Sequence, residues 1–249
     1  MVLTTNCNHH AIISLRTEAL KYIYSRLEPG ELLIMNDTSV DDFSVDELLQ
    51  LNKRQISPDE IKKFEGYMAE IFSAMGMDVN TPSTHETPRR FIEAMLESTS
   101  GYEGDPKLIK SFPRECRGEP DCRLSQVIEG PIHFHSLCEH HVFPFYGEAY
   151  VGYVADERIL GISKLTRLVR LYTKRFAVQE RIGYQIAATL ETLMRPHGVA
   201  VFMRAKHMCV EMRGVREISP ATRTTVFRGV YADDPALRAE FLNVCGIIK

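Results

Sequence analysis

Apolar residues recur at three- and four-residue steps in two stretches of the first half of the chain. The first stretch runs from Ser57 to about Met75, and Ser57, Pro58 and Glu60 at its start indicate a capping box. The second stretch follows Thr87. One apolar stripe on each helix predicts a helical hairpin whose residues pack in the core. The apolar positions are Ile61, Phe64, Met68, Ile71, Phe72, Met75, Phe91, Ile92, Met95 and Leu96.

A different pattern begins near residue 125. Four segments are enriched in β-branched and aromatic residues, which predicts strands, and two segments between them carry helical periodicity. The order strand, strand, helix, helix, strand, strand predicts an α+β fold with helices on one face of an antiparallel sheet. The predicted strands are residues 127–134, 145–154, 199–212 and 224–231, and the two helices begin at Ser163 and about Val178.

Composition and charge narrow the class of protein. Lys and Arg total 30 against 33 Asp and Glu, a net charge of −3, so no global basic field favours nucleic-acid binding. No apolar run suits a membrane span, no signal peptide is recognisable, and six scattered cysteines fit a reducing compartment. We therefore expect a soluble, cytoplasmic protein with three parts: an extension at 1–55, the hairpin and a loop at 56–124, and the α+β domain at 125–249.

Cysteine and histidine residues form a pattern typical of a metal site. Cys138 and His141 stand three residues apart, so a single turn can direct both at one ion. On the third predicted strand, alternation places His207 and Cys209 at the end of an otherwise apolar face. Burying these polar groups costs free energy, which indicates that they have a functional role there. Cys209 would complete a Cys-His-Cys set suited to zinc, with one open position. His140 or His207 could instead supply a fourth ligand and close the site.

Basic residues indicate an anion site. Ser163 can cap a predicted helix that Lys164 continues, and the free backbone N–H groups of a first turn attract anions. Arg167 lies three residues further on, and Arg213 adds a cation at the end of the strand that carries Cys209. A solvated basic face is the alternative interpretation of these residues.

Gln179 and Glu180 open the next predicted helix. A buried carboxylate at this position could accept two hydrogen bonds from an amidine-like edge, such as the N1–H and N2–H groups of guanine. An ordinary acidic residue at a helix N-terminus is the alternative, and the spacing alone favours it.

Taken together, these motifs resemble those of the GTP cyclohydrolase I family. The resemblance runs in the same order from about residue 57 to 245, and its metal and phosphate motifs are highly specific. It rests on residues 87–90 (TPRR), 136–141 (SLCEHH), 161–167 (GISKLTR), 178–181 (VQER), 207–209 (HMC) and 213–215 (RGV).

The resemblance implies a tunnelling fold, in which antiparallel sheets of several subunits close into a barrel, and a ring-shaped homodecamer. Closure would bring Gln179 and Glu180 of one chain toward the zinc of another. The implied reaction converts GTP to 7,8-dihydroneopterin triphosphate and formate, the first step of pterin and tetrahydrofolate biosynthesis. The implied zinc ligands are Cys138, His141 and Cys209, the acid–base groups His140 and His207, the triphosphate contacts Ser163, Lys164, Arg167 and Arg213, and the guanine contacts Gln179 and Glu180.

Two departures from the family pattern concern the substrate site. Glu93 stands where some members place a lysine that faces the phosphates, and residues 175–177 differ from the usual sequence before the VQER motif. Two other classes fit the residues less well. A related tunnelling-fold enzyme acting on pterins or deazapurines would typically bind zinc through three histidines, and a zinc-stabilised nucleotide-binding module would need four ligands and no substrate clamp.

Overall fold

The computed structural model describes residues 51–109, 112–113 and 126–247, all within one compact unit. The extension predicted at 1–55 and the boundary predicted at 124 fall mostly outside these residues. The strands are β1 (Phe112–Pro113), β2 (Gln126–Cys138), β3 (Pro144–Val154), β4 (Arg158–Ile159), β5 (Phe176–Ala177), β6 (Gly198–His207) and β7 (Thr222–Gly229). The helices are α1 (Pro58–Ala74), α2 (Thr87–Ser98), α3 (Ile162–Thr173), α4 (Gln179–Met194), α5 (Met208–Glu211), α6 (Val230–Asp233) and α7 (Pro235–Val244).

Five of these strands form the main sheet, in the order β5-β2-β3-β6-β7. All neighbours are antiparallel except β2 and the two-residue strand β5, which run parallel. Strands β1 and β4 pair separately with each other. The antiparallel sheet and its helices confirm the α+β class that the order of elements predicts.

Alternation along β2 decides which face of the sheet each residue occupies. Ile132 and Phe134 are buried in the main core, while His133 and His135, which alternate with them, are exposed. The same alternation continues to Cys138, which ends the strand buried in that core. The strand therefore places a thiol at one end of the sheet, on the core side.

Helices α3 and α4 cover the core side of the sheet. In α4, Ile182, Ile186 and Leu190 recur at four-residue steps and are fully buried. Leu165 and Leu168 of α3 are buried in the same cluster. Each such side chain contributes roughly 1.5 to 3 kcal/mol by leaving water. Packing of α3 and α4 against the sheet thus holds in place the core side on which Cys138 lies.

The opposite face of the sheet carries a second, smaller cluster formed with α6 and α7. Tyr231 of α6 and Phe241 of α7 pack edge to face, with ring centroids 5.9 Å apart, and join Phe202 of β6. The Tyr231 hydroxyl donates to Gln126 Oε1 at 2.8 Å. The prediction of helices on one face only is therefore incomplete, because α7 has a weak apolar periodicity that does not mark it as a helix in the sequence.

The capping box predicted for α1 is present. The Glu60 N–H donates to Ser57 Oγ at 3.3 Å, and the Ser57 N–H donates to the Glu60 carboxylate at 2.8 Å. The helix meets α2 through the edge-to-face rings of Phe72 and Phe91, whose centroids are 5.5 Å apart. No residue of α1 is buried, and Met75 beside it is 79% exposed. The predicted core role of this stripe is therefore wrong for a single chain.

The end of β6 differs from the sequence prediction. The strand stops at His207, and Cys209 lies in the one-turn helix α5 instead of on the strand. Pairing explains the difference, because β3 accompanies β6 only as far as the Phe145–His207 pair and β7 only as far as Ala205. Beyond His207 the backbone has no strand partner among the described residues, and it turns into a helix.

Candidate metal centre and active site

Two distant strands end together on the core side of the sheet. β2 ends at Cys138, and a tight turn follows, in which the Val142 N–H donates to Cys138 O at 2.8 Å and the Cys138 N–H donates to Phe143 O at 2.9 Å. The turn leads into β3, whose Phe145 lies opposite His207 of β6. Sheet pairing therefore brings the turn after β2 and the residues after β6 to one place.

Cys138, His141 and Cys209 each bring one ligand atom within 4.8 Å of the others. Cys138 Sγ lies 3.8 Å from His141 Nδ1. A tetrahedral zinc ion with bond lengths of about 2.3 Å to sulfur and 2.1 Å to nitrogen sets such atoms roughly 3.6 Å apart. Among the described His, Cys, Asp and Glu residues, no other group of three is this close. The three side chains fit a metal ion held by two thiolates and an imidazole.

The environment of Cys209 also favours a bound cation. Burial raises the pKa of the Cys209 thiol, and the adjacent Cys138 raises it further, whereas Arg213 lowers it. The raised pKa of Cys209 disfavours its thiolate unless a positive charge lies beside it, and a coordinated metal supplies that charge. Arg213 is exposed in the segment after α5, close enough to act on Cys209 electrostatically.

His140 lies beside this group of three ligands but outside it. Its Nδ1 is 3.8 Å from Cys138 Sγ, and its Nε2 is 4.0 Å from a carboxylate oxygen of Glu139. Glu139 is fixed by two hydrogen bonds from the Arg181 guanidinium of α4, at 2.7 and 2.9 Å. A carboxylate oriented in this way can steer a nearby imidazole for proton transfer. The sequence analysis missed Glu139 and Arg181, and their positions inside the SLCEHH and VQER motifs are the signal that could have found them.

His207 is held on the same side by two contacts. Its ring stacks on Phe145, with centroids 4.5 Å apart and planes within 3°. Its Nε2 lies 3.0 Å from Gln179 Oε1. Burial lowers the pKa of His207, and the carboxylates of Glu180 and Glu211 oppose that shift. The ring is therefore fixed in both plane and rotation beside the candidate metal ligands.

The Gln179 side chain is fully buried and satisfied within its own chain. Its amide nitrogen donates toward Met203 O at 3.2 Å, Thr222 O at 3.1 Å and Thr224 Oγ1 at 3.2 Å. An amide nitrogen has only two hydrogens, so three acceptors leave no donor over. In the single chain, these contacts occupy both hydrogens of the Gln179 amide.

Glu180 is exposed rather than buried as its expected role supposed. It stands in the first turn of α4 and acts electrostatically on His207. Because Gln179 contacts His207 directly, both residues already lie beside the candidate metal ligands of their own chain. The single chain thus places Gln179 in contact with His207, and the approach of both residues to another chain's metal stays a prediction.

The residues expected to bind triphosphate lie at the first turns of α3. Gly161, not Ser163, is the N-cap of this helix, and Ser163 is exposed within the first turn. Lys164 is buried, with 9% of its surface exposed. Arg167 forms an ion pair with Asp105 at 3.2 Å. Of these side chains, Arg167 therefore has an ion-pair partner in its own chain.

The direction of α3 separates this cluster from Cys138. The segment after the C-terminal end of α3 lies next to β2, where the Leu137 N–H donates to Arg175 O. A helix of 12 residues is about 18 Å long, so its first turn is on the order of 15 Å from that end. Within one chain, the structure does not bring Ser163 and Lys164 together with the metal ligands.

The two departures from the family pattern have definite places in the fold. Glu93 is exposed on α2 and forms an ion pair with Arg89 at 2.9 Å, so its negative charge has a partner on its own helix. Phe176 and Ala177 form β5, which pairs with Leu137 and Cys138 at the end of β2. The second departure thus lies in the strand that flanks a candidate metal ligand.

The fold and the site together define an α+β protein with a candidate Cys-His-Cys metal centre flanked by two histidines. Comparison with known proteins shows the family. The sequence model of GTP cyclohydrolase I matches residues 64–246. GTP cyclohydrolase 1 of Helicobacter pylori (strain G27) is 38% identical over 183 residues, covering 72% of this chain and 98% of that protein. GTP cyclohydrolase 1 of Deinococcus radiodurans is 39% identical over 187 residues, covering 75% of this chain and 84% of that protein.

The chain therefore belongs to the GTP cyclohydrolase I family, as its motifs predict. It is an enzyme that hydrolyses GTP to 7,8-dihydroneopterin triphosphate, in a family of metalloenzymes that assemble as oligomers. The crystal structure of the archaeosine synthase QueF-Like in the apo form is 16% identical, with a TM-score of 0.35, and covers 43% of this chain and 94% of that one. These values are too low to bear on the fold. No helix among the described residues is long and apolar enough to cross a membrane.

Proposed function

We propose that the reaction takes place at the end of the sheet where β2 and β6 meet, with zinc held by Cys138, His141 and Cys209. The observation that supports this assignment is the approach of the three ligand atoms to within 4.8 Å, beside His140 and His207. Two thiolates and one imidazole form a soft donor set that favours zinc over magnesium or calcium. Three protein ligands leave a position open, as in catalytic zinc sites.

The chemistry requires a strong nucleophile and mobile protons. Water adds at C8 of GTP and breaks one C–N bond, and a second water breaks the other, so that C8 leaves as formate. The ribose carbons then rearrange and close the new ring onto the freed nitrogen with loss of one water, which gives the dihydropterin. When bound, zinc supplies Lewis-acid activation of water near neutral pH. We assign the proton transfers to His140 and His207, since an imidazole both donates and accepts protons near neutrality. Protonation of guanine N7 makes C8 more electrophilic, and each departing nitrogen needs a proton.

Glu180 is the residue we propose for guanine recognition. Its exposed carboxylate stands in the first turn of α4, next to His207. A carboxylate can accept hydrogen bonds from guanine N1–H and N2–H at the same time. The exposure of Glu180 in one chain is what a substrate contact requires.

The triphosphate contacts are proposed to come from Ser163, Lys164 and Arg167 of a neighbouring subunit, together with Arg213. Within one chain, the first turn of α3 lies on the order of 15 Å from the metal end. A neighbouring subunit that brings this turn closer would let one GTP molecule contact both. Arg213 follows Cys209 closely and is exposed. Binding the triphosphate would fix the purine over the metal, because it is remote from the bonds that break.

The same reasoning supports an oligomer whose active sites lie between subunits, which we propose to be a decamer closed by the sheets. The main sheet ends in β7 on one side and in the two-residue strand β5 on the other. Open strand edges are normally paired or covered, and pairing between subunits would close a barrel. The exposed apolar residues of α1 would be covered in the same assembly.

Product analysis tests this function. The purified, zinc-loaded oligomer is incubated with GTP, and formate and the dihydropterin product are quantified together. Equal amounts of both products are expected. GTP binding without formate would instead support the nucleotide-binding module, and turnover of a different pterin or deazapurine precursor would support a related tunnelling-fold enzyme.

A further inference from the structure

The face of the main sheet opposite α3 and α4 is only partly covered by other elements. Helices α6 and α7 cover the part that carries Phe202. A neighbouring part forms a cavity of about 640 Å³, which the segment 219–221 bounds on one side. Small-molecule sites in proteins typically have volumes of about 300 to 1,000 Å³, so the cavity is large enough for a ligand. The side chains that matter for its chemistry are those of His135, Tyr146, Glu148, Arg204, Lys206 and Arg223.

Strand register concentrates positive charge in this cavity. Arg204 of β6 and Arg223 of β7 occupy directly opposite positions in the pairing of the two strands. Like charges at such positions destabilise a sheet. Glu148, which lies opposite Arg204 on β3, neutralises one of them through an ion pair at 2.7 Å. Arg223 is exposed and forms no ion pair with any residue that the structure describes. An anion bound between the two guanidinium groups would remove their repulsion.

Lys206 adds a third cation two residues along β6 from Arg204. Its ammonium nitrogen donates to Ile218 O at 3.2 Å and lies 3.9 Å from a carboxylate oxygen of Glu211. These contacts hold the ammonium group beside the segment that bounds the cavity. Even with Glu148 and Glu211 counted, the three cations leave a positive charge in excess. Two guanidinium groups and an ammonium group suit a phosphate group, because arginine forms paired hydrogen bonds to phosphate oxygens.

His135 and Tyr146 form an aromatic surface in the same cavity. Their rings are stacked, with centroids 5.9 Å apart and planes within 24°, and Tyr146 is 39% exposed. Strand β3, which carries Tyr146, is separated from β7 by β6 alone, so the ring lies about 10 Å from the strand of Arg223. A planar base can stack on such a ring while phosphates attached to it reach the arginines.

We propose that this cavity binds a nucleoside triphosphate, with the phosphates on the three cations and the base on Tyr146. Cys138 lies on the core side of the sheet, whereas the cavity opens on the opposite face. The nucleotide site is therefore distinct from the centre at which we place the reaction. The inference goes beyond the proposed function and does not depend on the chemistry at the metal.

ATP is a suitable probe, because adenine lacks the N1–H and N2–H groups of guanine that Glu180 is proposed to recognise. Equilibrium binding to the zinc-loaded oligomer should give one ATP per subunit. Arg223→Gln should weaken ATP binding about 10- to 100-fold, the scale of one charge-assisted contact to phosphate. Arg170→Gln, which removes an exposed charge from α3, is the control and should change nothing. Zinc content and oligomer size show that each variant has folded and assembled.

Tyr146→Ala tests the contact with the base. Inorganic tripolyphosphate supplies the phosphates without a base, and both ligands are titrated in the Arg167→Ala background to weaken phosphate binding at α3. Tyr146→Ala should weaken ATP binding about 10-fold and leave tripolyphosphate binding unchanged, because stacking involves only the base. If ATP binds no more tightly than tripolyphosphate and Tyr146→Ala affects neither, the cavity holds inorganic phosphate and the nucleotide assignment is wrong.

Arg167→Ala and Arg223→Gln separate this site from the reaction centre. Arg167→Ala should leave ATP binding unchanged, and Arg223→Gln should leave formate release from GTP unchanged when no ATP is present. ATP binding that Arg167→Ala abolishes and Arg223→Gln preserves would place the nucleotide at α3 and overturn the proposal. A lack of ATP binding at millimolar concentration would overturn it as well. Both of these results would leave the proposed function intact, since that function is tested by the products formed from GTP.

Discussion

At the scale of single residues, Cys209 gives the sharpest test of the metal centre. Cys209→Ser removes one of two thiolates that lie together with His141, so most of the zinc should be lost, and formate release with it. The fold should persist, since Cys209 is only partly buried at the edge of the main core. Elemental analysis and circular dichroism of the purified variant measure both.

Cys245 provides the matched control, because it is a buried cysteine in the second cluster, on the opposite face of the sheet. Cys245→Ser should keep full zinc. A Cys209→Ser variant with as much zinc as the Cys245→Ser variant would show that the metal is held elsewhere.

We expect His207 to transfer protons and not to coordinate the metal. His207→Ala is expected to retain zinc and GTP binding while formate release slows at least about 100-fold, the usual contribution of a general acid or base. The reason is its place outside the group of three ligand atoms that lie within 4.8 Å. Zinc loss in proportion to activity would instead indicate a closed, four-ligand site.

The sequence predicts some of these residues for chemical reasons and misses others for geometric ones. Cys138 and His141 are recognisable because their spacing fits one turn, and Cys209 because a polar group ends an apolar face. The bond between Gln179 and His207 is not predictable, since it depends on how α4 meets the end of β6. A sequence motif predicts which residue types are present, whereas a hydrogen bond between distant elements can be identified only from the three-dimensional structure.

At the scale of secondary-structure elements, the first turns of α3 test the identity of the substrate. Arg167→Ala should lower kcat/KM for GTP about 10- to 100-fold, because a charge-assisted contact to phosphate contributes roughly 1.5 to 3 kcal/mol. The same change should barely affect guanosine, which lacks phosphates. Steady-state kinetics with GTP, GDP and guanosine make the comparison.

Arg170 is the control on the same helix. It is exposed in the last turn of α3, where the proposed phosphate site does not extend. Arg170→Ala should leave all three substrates unchanged. Equal losses of Arg167→Ala on GTP and guanosine would mean that Arg167 serves the fold through Asp105.

Element boundaries near the site show where periodicity stops being informative. Residues 199–212 alternate well enough to predict one strand, yet β6 ends at His207. Over the four residues of α5, an apolar and polar alternation cannot distinguish a strand from one helical turn. The strand ends where its neighbours stop pairing, and that limit is set by the lengths of β3 and β7.

At the scale of the whole molecule, an active site shared between subunits predicts complementation. Cys209→Ser damages the metal end of a subunit, and Arg167→Ala damages the first turns of α3. When the two variants are co-expressed, mixed oligomers contain sites that combine an intact metal end with an intact α3. Formate release should exceed the sum of the two separate variants. A mixture no more active than that sum would mean that each site belongs to a single chain.

The apolar stripe of α1 is a feature that the sequence predicts only in part. The apolar stripe of α1 is evident from its periodicity, but in a single chain Met75 is 79% exposed and Ile71 44% exposed. Periodicity shows that a helix has an apolar face, and it does not say whether the same chain or another subunit covers it. The prediction of a core role failed for this reason.

The most direct measurement is the rate of formate release from GTP as zinc is returned to the metal-free oligomer. If Cys138, His141 and Cys209 hold the catalytic ion, the rate should rise in proportion to bound zinc and level off at one zinc per subunit. The Cys209→Ser variant should gain almost no activity over the same titration. Full formate release without metal, or one zinc per subunit without formate release, would contradict the account.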